Sequence, residues 1–367
     1  MEIKPGDIPP LYQPQHCRVL DDSDIGQARR QAVTLCGALG FDTFRTAEVS
    51  LVVTELATNL LKYAGSNGGE LVFSPMQYAG INCLDILSLD QGPGIANLGA
   101  VLRDSISGKG NFNAEVDINL GSSLGIGLGA VRRLSSQFDI FSAPGQGTAV
   151  FSRCWQPTQQ LPPPALAMEV GAVCLPVMGE KACGDAWAMK IKRDTALFLL
   201  ADGLGHGDKA AIAANLAVSI FQQAAQPSPE ELVTLIHQGL RNTRGTAVAV
   251  AELTYATGTL CYAGLGNISG LILAEGSAGN MISYNGTAGL AASKIQQLSY
   301  PWPEDGHLVL HSDGIDTHWG LQDYPGLAHK HPALIAGVLY RDHQRPRDDS
   351  SVIVAKLPQS STVSGTP

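Results

Sequence analysis

The chain has 367 residues, a length that predicts about two domains. Its 44% hydrophobic and 16% charged residues are typical of a globular protein and exclude a disordered one. The net charge of −9, with no basic run, argues against a nucleic-acid partner, because phosphate backbones bind basic surfaces.

Cysteine usage and apolar runs bear on the compartment. The seven cysteines include no C-x-x-C pair, which indicates buried thiols in a reducing compartment and no disulfides or zinc site. Residues 1–5 have no apolar core and predict no signal peptide. The longest apolar run, residues 210–221, is too short to span a bilayer. We therefore expect a cytoplasmic protein with no membrane partner, and the oligomeric state stays open, a homo-oligomer included.

A proline-rich segment at residues 156–166 divides the chain. Proline favours an extended and fairly stiff spacer, so this segment predicts a linker. We predict a first domain over residues 1–155 and a second over residues 167–357, both of ordinary size. The polar tail, residues 358–367, is expected to be disordered.

The sequence of the first domain predicts an α/β sandwich. Helical periodicity predicts helices at residues 24–39, 46–63 and 130–136. Apolar runs predict strands at residues 71–73, 81–89, 138–141 and 148–154. We therefore expect one mixed sheet with helices on one face.

The second domain is richer in strands. Apolar runs predict strands at residues 169–177, 186–193, 195–201, 247–252, 259–264, 268–274, 307–311 and 352–356. Helices are predicted at residues 208–225, 229–242 and 332–341. Many strands with two consecutive helices between them predict two packed sheets flanked by helices.

Glu55 and Asn59 lie four residues apart on the second predicted helix, so they share one side of it. An Asn oxygen can hold Mg²⁺ on phosphates, and a Glu one turn earlier can act as a base toward a hydroxyl. A solvated polar face explains the same pair, and the pair alone favours that simpler interpretation.

Asp90 ends a predicted strand and begins the segment that contains Gly92 and Gly94. A carboxylate at a strand end can accept the exocyclic amine of adenine, and the glycines leave room for the ring. An ordinary Asp-x-Gly turn is the alternative. Thr148, after a Gly-Gln-Gly turn, begins another strand and can join the adenine hydrogen bonds.

A glycine-rich loop, with Gly125, Gly127 and Gly129, opens the third predicted helix. Backbone N–H groups at a helix N-terminus can hold phosphates, although a glycine loop alone is weak evidence for this. The order of the four elements is more specific. In that order, residues 15–155 resemble the Bergerat-fold (GHKL) ATPases, and most closely their anti-sigma-factor serine kinases of the RsbT type.

That resemblance implies a role for each part of the pattern. Glu55 is the implied catalytic base, Asn59 the magnesium ligand and Asp90 the adenine contact. The implied lid over ATP is mobile and spans residues 95–121. ATP and Mg²⁺ are the cofactors implied for the first domain.

Four aspartates stand in separate short motifs of the second domain: Asp185, Asp202, Asp313 and Asp348. Each Asp-Gly pair alone is more often a structural turn. Together, carboxylates at strand ends beside glycines suit hard cations such as Mg²⁺ or Mn²⁺. A fold that gathers them would hold two metals and a water for attack on phosphorus.

Residues 167–357 resemble the SpoIIE/RsbX-type members of the metal-dependent type 2C protein phosphatases. The resemblance implies an α-β-β-α sandwich in which Asp202 bridges two Mn²⁺ or Mg²⁺ ions and the Gly203 carbonyl binds one. Asp313 and Asp348 complete the ligand shell of the first metal, and Asp185 helps through a water or a third metal. The second acidic residue that usually follows the Gly-Asp pair is absent here. His206 either contacts substrate or has a helix-capping or packing role.

The sequence thus predicts an α/β multidomain switch protein that both phosphorylates and dephosphorylates serine or threonine. The resemblance implies a STAS-domain antagonist, as in stressosome-like partner switching, as the substrate. One alternative is a phosphatase whose first domain only senses ATP, which the presence of Glu55 weakens. The other is a non-catalytic partner-switch scaffold, which the four aspartates weaken.

Overall fold

A computed structural model describes residues 14–78, 80–98, 127–157 and 168–358. The chain forms two compact units, whose described parts are residues 15–157 and residues 168–358. No helix in the described ranges is both long enough and apolar enough to cross a membrane. Most of the predicted linker and tail, Gly125 and residues 99–121 of the predicted lid lie outside the described residues.

The first unit contains five strands and three described helices. Its strands are β1 (Gln15–Val19), β2 (Gly69–Tyr78), β3 (Ile81–Asp90), β4 (Gln137–Ser142) and β5 (Thr148–Trp155). Its helices are α1 (Asp22–Ala38), α2 (Thr43–Tyr63) and α3 (Gly127–Leu134). All seven predicted elements are present, and among the elements in the described range only β1 was not predicted.

The apolar stripe and the N-cap residue of helix α2 determine where it begins and how it packs. Asp42 accepts a hydrogen bond from the Arg45 N–H at 2.7 Å, which satisfies one free donor of the first turn. The buried side chains recur at helical spacing: Val49, Val52, Val53, Leu56, Ala57 and Leu60. They join α1, α3 and one face of the sheet in a single core, and this leaves Glu55 and Asn59 at the border of the stripe.

The sheet of the first unit has the order β1-β2-β3-β5-β4. Every described pair in it is antiparallel, so the predicted mixed sheet is corrected to an antiparallel one. The cause is the short connections, because β2–β3 and β4–β5 are hairpins and hairpins join antiparallel strands. Gln156, assigned to the linker, belongs to this unit: its side-chain amide donates to the Gly40 carbonyl at 2.9 Å.

The second unit contains thirteen strands and three helices in its described range. Its larger strands are β6 (Glu169–Leu175), β7 (Asp185–Ile191), β8 (Thr195–Gly203), β9 (Thr246–Thr254), β10 (Thr259–Leu265), β11 (Ser269–Ala274), β17 (His307–His311) and β18 (Ser350–Lys356). Smaller strands lie between them: β12 (Ser277–Met281), β13 (Ser283–Tyr284), β14 (Gly286–Thr287), β15 (Ala291–Ala292) and β16 (Leu298–Pro301). The helices are α4 (Asp208–Gln223), α5 (Pro229–Gly239) and α6 (Pro332–His343).

Two sheets form the centre of the second unit. One has the order β13-β10-β9-β8-β7, with β16 beside β10, and the other has the order β12-β11-β17-β18-β6. Their facing side chains, among them Phe198, Tyr262 and Ile353, make the central core. Helices α4 and α5 cover the outer face of the first sheet. On the second sheet α6 packs closely, since a Cβ on Gly171 of β6 would lie 2.1 Å from Ala333 Cα.

This arrangement is the predicted α-β-β-α sandwich, and the predicted fold class is confirmed. The five small strands between residues 277 and 301 were not predicted. That segment is rich in Gly, Ala, Ser and Asn, which have little β propensity, and its pairing depends on neighbours that are distant in sequence.

Candidate functional sites

Glu55 lies half-buried on α2, beside the first residue of α3. Burial raises the pKa of its carboxyl group, and a hydrogen bond from the Gly127 backbone N–H partly opposes this rise. A carboxylate with a raised pKa is a stronger proton acceptor once it is ionised, as a general base requires. The tertiary fold thus joins two motifs that are 72 positions apart, and Asn59, also half-buried, follows Glu55 by one helical turn.

Asp90 is the last residue of β3 and pairs across the sheet with Thr148, the first residue of β5. Its Oδ1 atom accepts the Gly92 N–H at 2.8 Å and the Thr148 N–H at 3.2 Å. The Thr148 hydroxyl lies 2.9 Å from the Ser142 hydroxyl, which accepts the Ile95 N–H at 2.8 Å. The structure therefore brings together Asp90 and Thr148, two of the predicted adenine contacts, in one ordered network.

The glycines around Asp90 are required by close backbone packing. Gly94 has a φ of +73°, and a Cβ there would lie 2.0 Å from the Ala143 carbonyl oxygen. A Cβ on Gly92 would lie 2.7 Å from the Tyr63 carbonyl oxygen. The nearest neighbours of both glycines are protein atoms, so their predicted contact with ATP stays a prediction.

Of the glycines that the sequence predicts to bind phosphate, Gly127 and Gly129 fall on α3. Gly127 has a φ of +55° and supplies the N–H that reaches Glu55. Gly125 lies outside the described residues.

In the second unit, Asp185 and Asp202 face each other as direct cross-strand partners on β7 and β8. Asp185 begins its strand and Asp202 stands one residue before the end of its strand, so both lie at the same edge of the sheet. Asp185 is 5% exposed, and its Oδ2 atom is buried with no hydrogen-bond partner in the described chain. Such an atom is costly unless a ligand or cation satisfies it.

Asp313 and Asp348 complete this acidic cluster from the other sheet. Burial, followed by the charges of Asp185, Asp313 and Asp348, raises the pKa of Asp202 to about 9. Burial raises the pKa of Asp185 to about 7. Burial and the charge of Asp313 also raise the pKa of Asp348. The cluster therefore holds more negative charge than the protein compensates.

Three residues that were not predicted position these aspartates. Asp349, 2% exposed, accepts the Val177 and Gly184 N–H groups, each at 2.8 Å, and so holds the segment before Asp185. The Thr246 hydroxyl donates to the Asp202 carbonyl at 2.6 Å. The Asn267 side chain donates to Asp313 Oδ2 at 2.7 Å. The tandem Asp348-Asp349 was a visible signal, whereas Thr246 and Asn267 are ordinary residues in sequence.

The cluster suits a hard divalent cation by its donor chemistry, since its side chains offer only carboxylate oxygens. Within the described ranges, no three His, Cys, Asp or Glu side chains stand in a ready-made ligand arrangement. The charge of Asp313 is among the causes that raise the pKa of Asp202, so the two carboxyl groups lie close enough to repel each other. A cation would relieve this repulsion and satisfy the unpartnered Oδ2 atom of Asp185.

His206 follows the Asp202 loop, and its Nδ1 atom lies 3.0 Å from Glu180 Oε1. The N-cap of α4 is Gly207, with no side-chain hydrogen bond, so the helix-capping hypothesis for His206 is wrong. A Cβ on Gly203 would lie 2.3 Å from the Ala210 carbonyl oxygen, so α4 packs directly on that residue. The predicted metal contact of the Gly203 carbonyl stays a prediction.

Comparisons with known proteins match each of the two units. The chain is 32% identical over 142 residues to the serine/threonine-protein kinase RsbT of Bacillus subtilis, a match that covers 38% of this chain and 96% of RsbT. Residues 192–358 match the family model described as stage II sporulation protein E (SpoIIE). Asp202, Asp313 and Asp348 fall inside that match, and Asp185 precedes it.

Two solved structures also resemble part of the chain. A chain from a structure of the bacterial stressosome is 27% identical, with a TM-score of 0.49, over 52% of this chain and 99% of its own length. RsbX in complex with magnesium is 18% identical, with a TM-score of 0.45, over 52% of this chain and 96% of its own length. Through its N-terminal part this chain belongs to the RsbT family of serine/threonine-protein kinases, and the same chain carries a SpoIIE-type phosphatase domain.

Proposed function

We propose that this chain sets the phosphorylation state of a STAS-domain regulator in a partner-switching pathway. Its first unit transfers a phosphoryl group from ATP to a serine or threonine of that partner. Its second unit hydrolyses the same phosphoester. The observation that carries the proposal is the presence of an RsbT-family kinase and a SpoIIE-type phosphatase domain in one chain.

In the proposed kinase reaction, Glu55 takes the proton from the attacking hydroxyl of the partner. Its raised pKa, due to burial, supports this role. Asn59 holds Mg²⁺, which neutralises charge on the phosphates when bound. Asp90 accepts the adenine amine while the N–H groups of Gly92 and Thr148 fix its carboxylate. Gly127 and Gly129 contribute backbone N–H groups near the phosphates.

In the proposed phosphatase reaction, Asp202, Asp313, Asp348 and the Gly203 carbonyl would hold two Mn²⁺ or Mg²⁺ ions, with Asp202 shared between them. Asp185 would act through a water or a third ion. The metals, when bound, supply a hydroxide-like nucleophile at neutral pH. Asn267 and Thr246 orient Asp313 and Asp202, and such supporting contacts tune metal sites.

The proposed compartment is the cytoplasm. All seven cysteines are free, and six of them are buried, which suits a reducing environment. The proposed partner is a small STAS-domain protein, the substrate class that the resemblance to partner-switching kinases and phosphatases implies. A first unit that only senses ATP is not favoured, because a binding site needs no buried base beside the Gly127 amide.

The test separates the two half-reactions on one partner. We choose a STAS-domain protein encoded next to this chain as the candidate. In the first assay the protein, γ-labelled ATP and Mg²⁺ are mixed with this partner, and label on its serine or threonine is expected. In the second assay, the purified phosphorylated partner is supplied without nucleotide, and release of phosphate is expected with Mn²⁺ but not with a chelator.

Each outcome bears on one unit. Label transfer without phosphate release leaves a kinase and removes the phosphatase proposal. Phosphate release without label transfer leaves a phosphatase with a nucleotide-sensing unit. Activity in neither assay, with several STAS-domain proteins, would favour the scaffold alternative.

A further inference from the structure

Arg244 stands in the turn between α5 and β9, beside the loop that follows Asp202. Its Nη1 atom lies 3.3 Å from the position that a Cβ on Gly205 would occupy. Gly205 belongs to the loop that follows Asp202. Its carbonyl oxygen lies 3.2 Å from the position that a Cβ on Gly184 would occupy, and Gly184 directly precedes Asp185. The guanidinium group therefore lies against the loop that borders the proposed metal site.

Backbone hydrogen bonds hold Arg244 at that place. Gly203 pairs with Thr246 across β8 and β9, and the Leu204 N–H continues the pairing by donating to the Gly245 carbonyl at 3.1 Å. The Thr243 hydroxyl accepts the Gly245 N–H at 3.0 Å and donates to the Leu240 carbonyl at 2.7 Å. The turn that carries Arg244 is thus ordered by its own contacts.

The Arg244 charge is free for a ligand. Arg244 is exposed and makes no hydrogen bond or ion pair within the part of the chain that the structure describes. Two other basic side chains of this unit differ from it: His206 Nδ1 lies 3.0 Å from Glu180, and Arg345 lies 3.7 Å from Asp316. An unpaired guanidinium against the loop that borders the carboxylate-rich edge suits a dianion that bridges the guanidinium and the bound metals.

We propose that Arg244 is a substrate-binding residue of the phosphatase unit, which binds the phosphoryl oxygens of the phosphoserine or phosphothreonine substrate. The inference deepens the proposed phosphatase function and depends on it. The planar guanidinium offers two parallel N–H donors to a phosphate, which a lysine ammonium cannot match. Arg244 thereby orients the phosphorus toward the metals, while the carboxylates keep the metals in place.

The experiment compares Arg244→Ala and Arg244→Lys with the wild-type full-length chain. Arg241→Ala is the matched control, because Arg241 is exposed three residues earlier in the same segment. With Mn²⁺, KM for the phosphorylated partner and for p-nitrophenyl phosphate should rise about 10- to 100-fold in the alanine variant, the range expected for a lost hydrogen bond to a charged group. The lysine variant should recover part of this loss, and Arg241→Ala should match the wild type.

A second measurement does not depend on turnover. Calorimetry of inorganic phosphate binding to the Mn²⁺-loaded protein should show the same weakening in Arg244→Ala, whereas Mn²⁺ binding itself should be unchanged. Equal phosphate affinity in Arg244→Ala and wild type overturns the inference. Arg347, the exposed arginine beside Asp348, supplies a second comparison, and a loss of phosphate affinity in Arg347→Ala but not in Arg244→Ala also overturns it. A wild type that binds phosphate through Arg244 but hydrolyses no phosphoester would instead overturn the proposed function.

Discussion

The two units hold their acidic side chains in opposite ways. In the first unit the Asp90 Oδ1 atom accepts two backbone N–H groups, at 2.8 and 3.2 Å. In the second unit Asp202 lies among other carboxylates, and burial together with their charges raises its pKa to about 9. The protein thus satisfies one carboxylate with its own backbone and leaves the others to repel one another.

This difference indicates what each site needs from a ligand. A carboxylate fixed by backbone donors is already in place to accept a hydrogen bond from a neutral amine. A cluster of repelling carboxylates is complete only when protons or cations neutralise it. We therefore expect nucleotide recognition to depend on the geometry around Asp90, and phosphate hydrolysis to depend on divalent metal.

The largest expected effect is on phosphotransfer in Glu55→Gln. The amide keeps the shape of Glu55 but cannot take a proton, and general-base catalysis contributes roughly 10²–10⁴-fold. Label transfer from ATP to the partner should fall by this factor, while ATP affinity, measured by calorimetry, should stay nearly unchanged. Dephosphorylation of the supplied phosphorylated partner serves as the control and should be intact. Phosphotransfer at the wild-type rate would remove Glu55 from the kinase mechanism.

The corresponding change in the second unit is Asp202→Asn. It removes one charge from the proposed bridge between two metals, and loss of even the supporting contacts of metal ligands typically costs roughly 10–100-fold. Phosphate release from the phosphorylated partner with Mn²⁺ should fall by more than about 100-fold, with phosphotransfer by the first unit unaffected. Asp194→Asn, at an exposed turn of the same unit, is the control. Full activity of Asp202→Asn in metal-free buffer would contradict a two-metal site.

A smaller effect is expected from Asp90→Asn. The asparagine carbonyl oxygen can still accept the Gly92 and Thr148 N–H groups, so the strand ends stay ordered, but one acceptor becomes a donor. ATP binding should weaken by about 1–3 kcal/mol, the cost of a lost hydrogen bond to a charged group. GTP should bind poorly to the wild type, because its ring presents a carbonyl where adenine has an amine. Equal affinity of the wild type for ATP and GTP would refute the adenine assignment.

The smallest expected effect is on thermal stability, measured by calorimetry as a function of pH. The folded-state pKa values of Asp185 and Asp202, about 7 and about 9, are raised above the ordinary 3.8. Their protonated forms therefore stabilise the fold at low pH, and this contribution is lost as the pH rises through 7 and 9. Without metal, the Tm of the second unit should fall between pH 6 and pH 9.

Mn²⁺ should reverse this trend, since it replaces the protons and binds more tightly as they leave. The stabilisation by Mn²⁺ should consequently be larger at pH 9 than at pH 6. The Asp202→Asn variant is the control and should show a weaker dependence on pH. A metal-free Tm that rises over this range would contradict the proposed electrostatics of the cluster.

The sequence by itself determined the positions of the main helices and strands, the fold classes and the motifs. It could do so because these depend on local patterns, such as the apolar stripe of α2 and the runs that form β8 and β17. The short strands between residues 277 and 301 escaped prediction because their pairing is not local. The antiparallel sheet of the first unit follows from its short hairpin connections, because periodicity alone does not give the relative direction of strands.

Only the tertiary structure decided which groups meet. It placed Asp185 opposite Asp202, brought the Gly127 N–H to Glu55 and aimed Asn267 at Asp313. These contacts join segments far apart in the chain, so no local pattern marks their partners. The same holds for Arg244, which is an ordinary surface arginine in the sequence and approaches the Asp202 loop only through the pairing of β8 with β9. Burial, which raises the pKa values of Asp185 and Asp202, is also a property of the packed fold and not of the residues themselves.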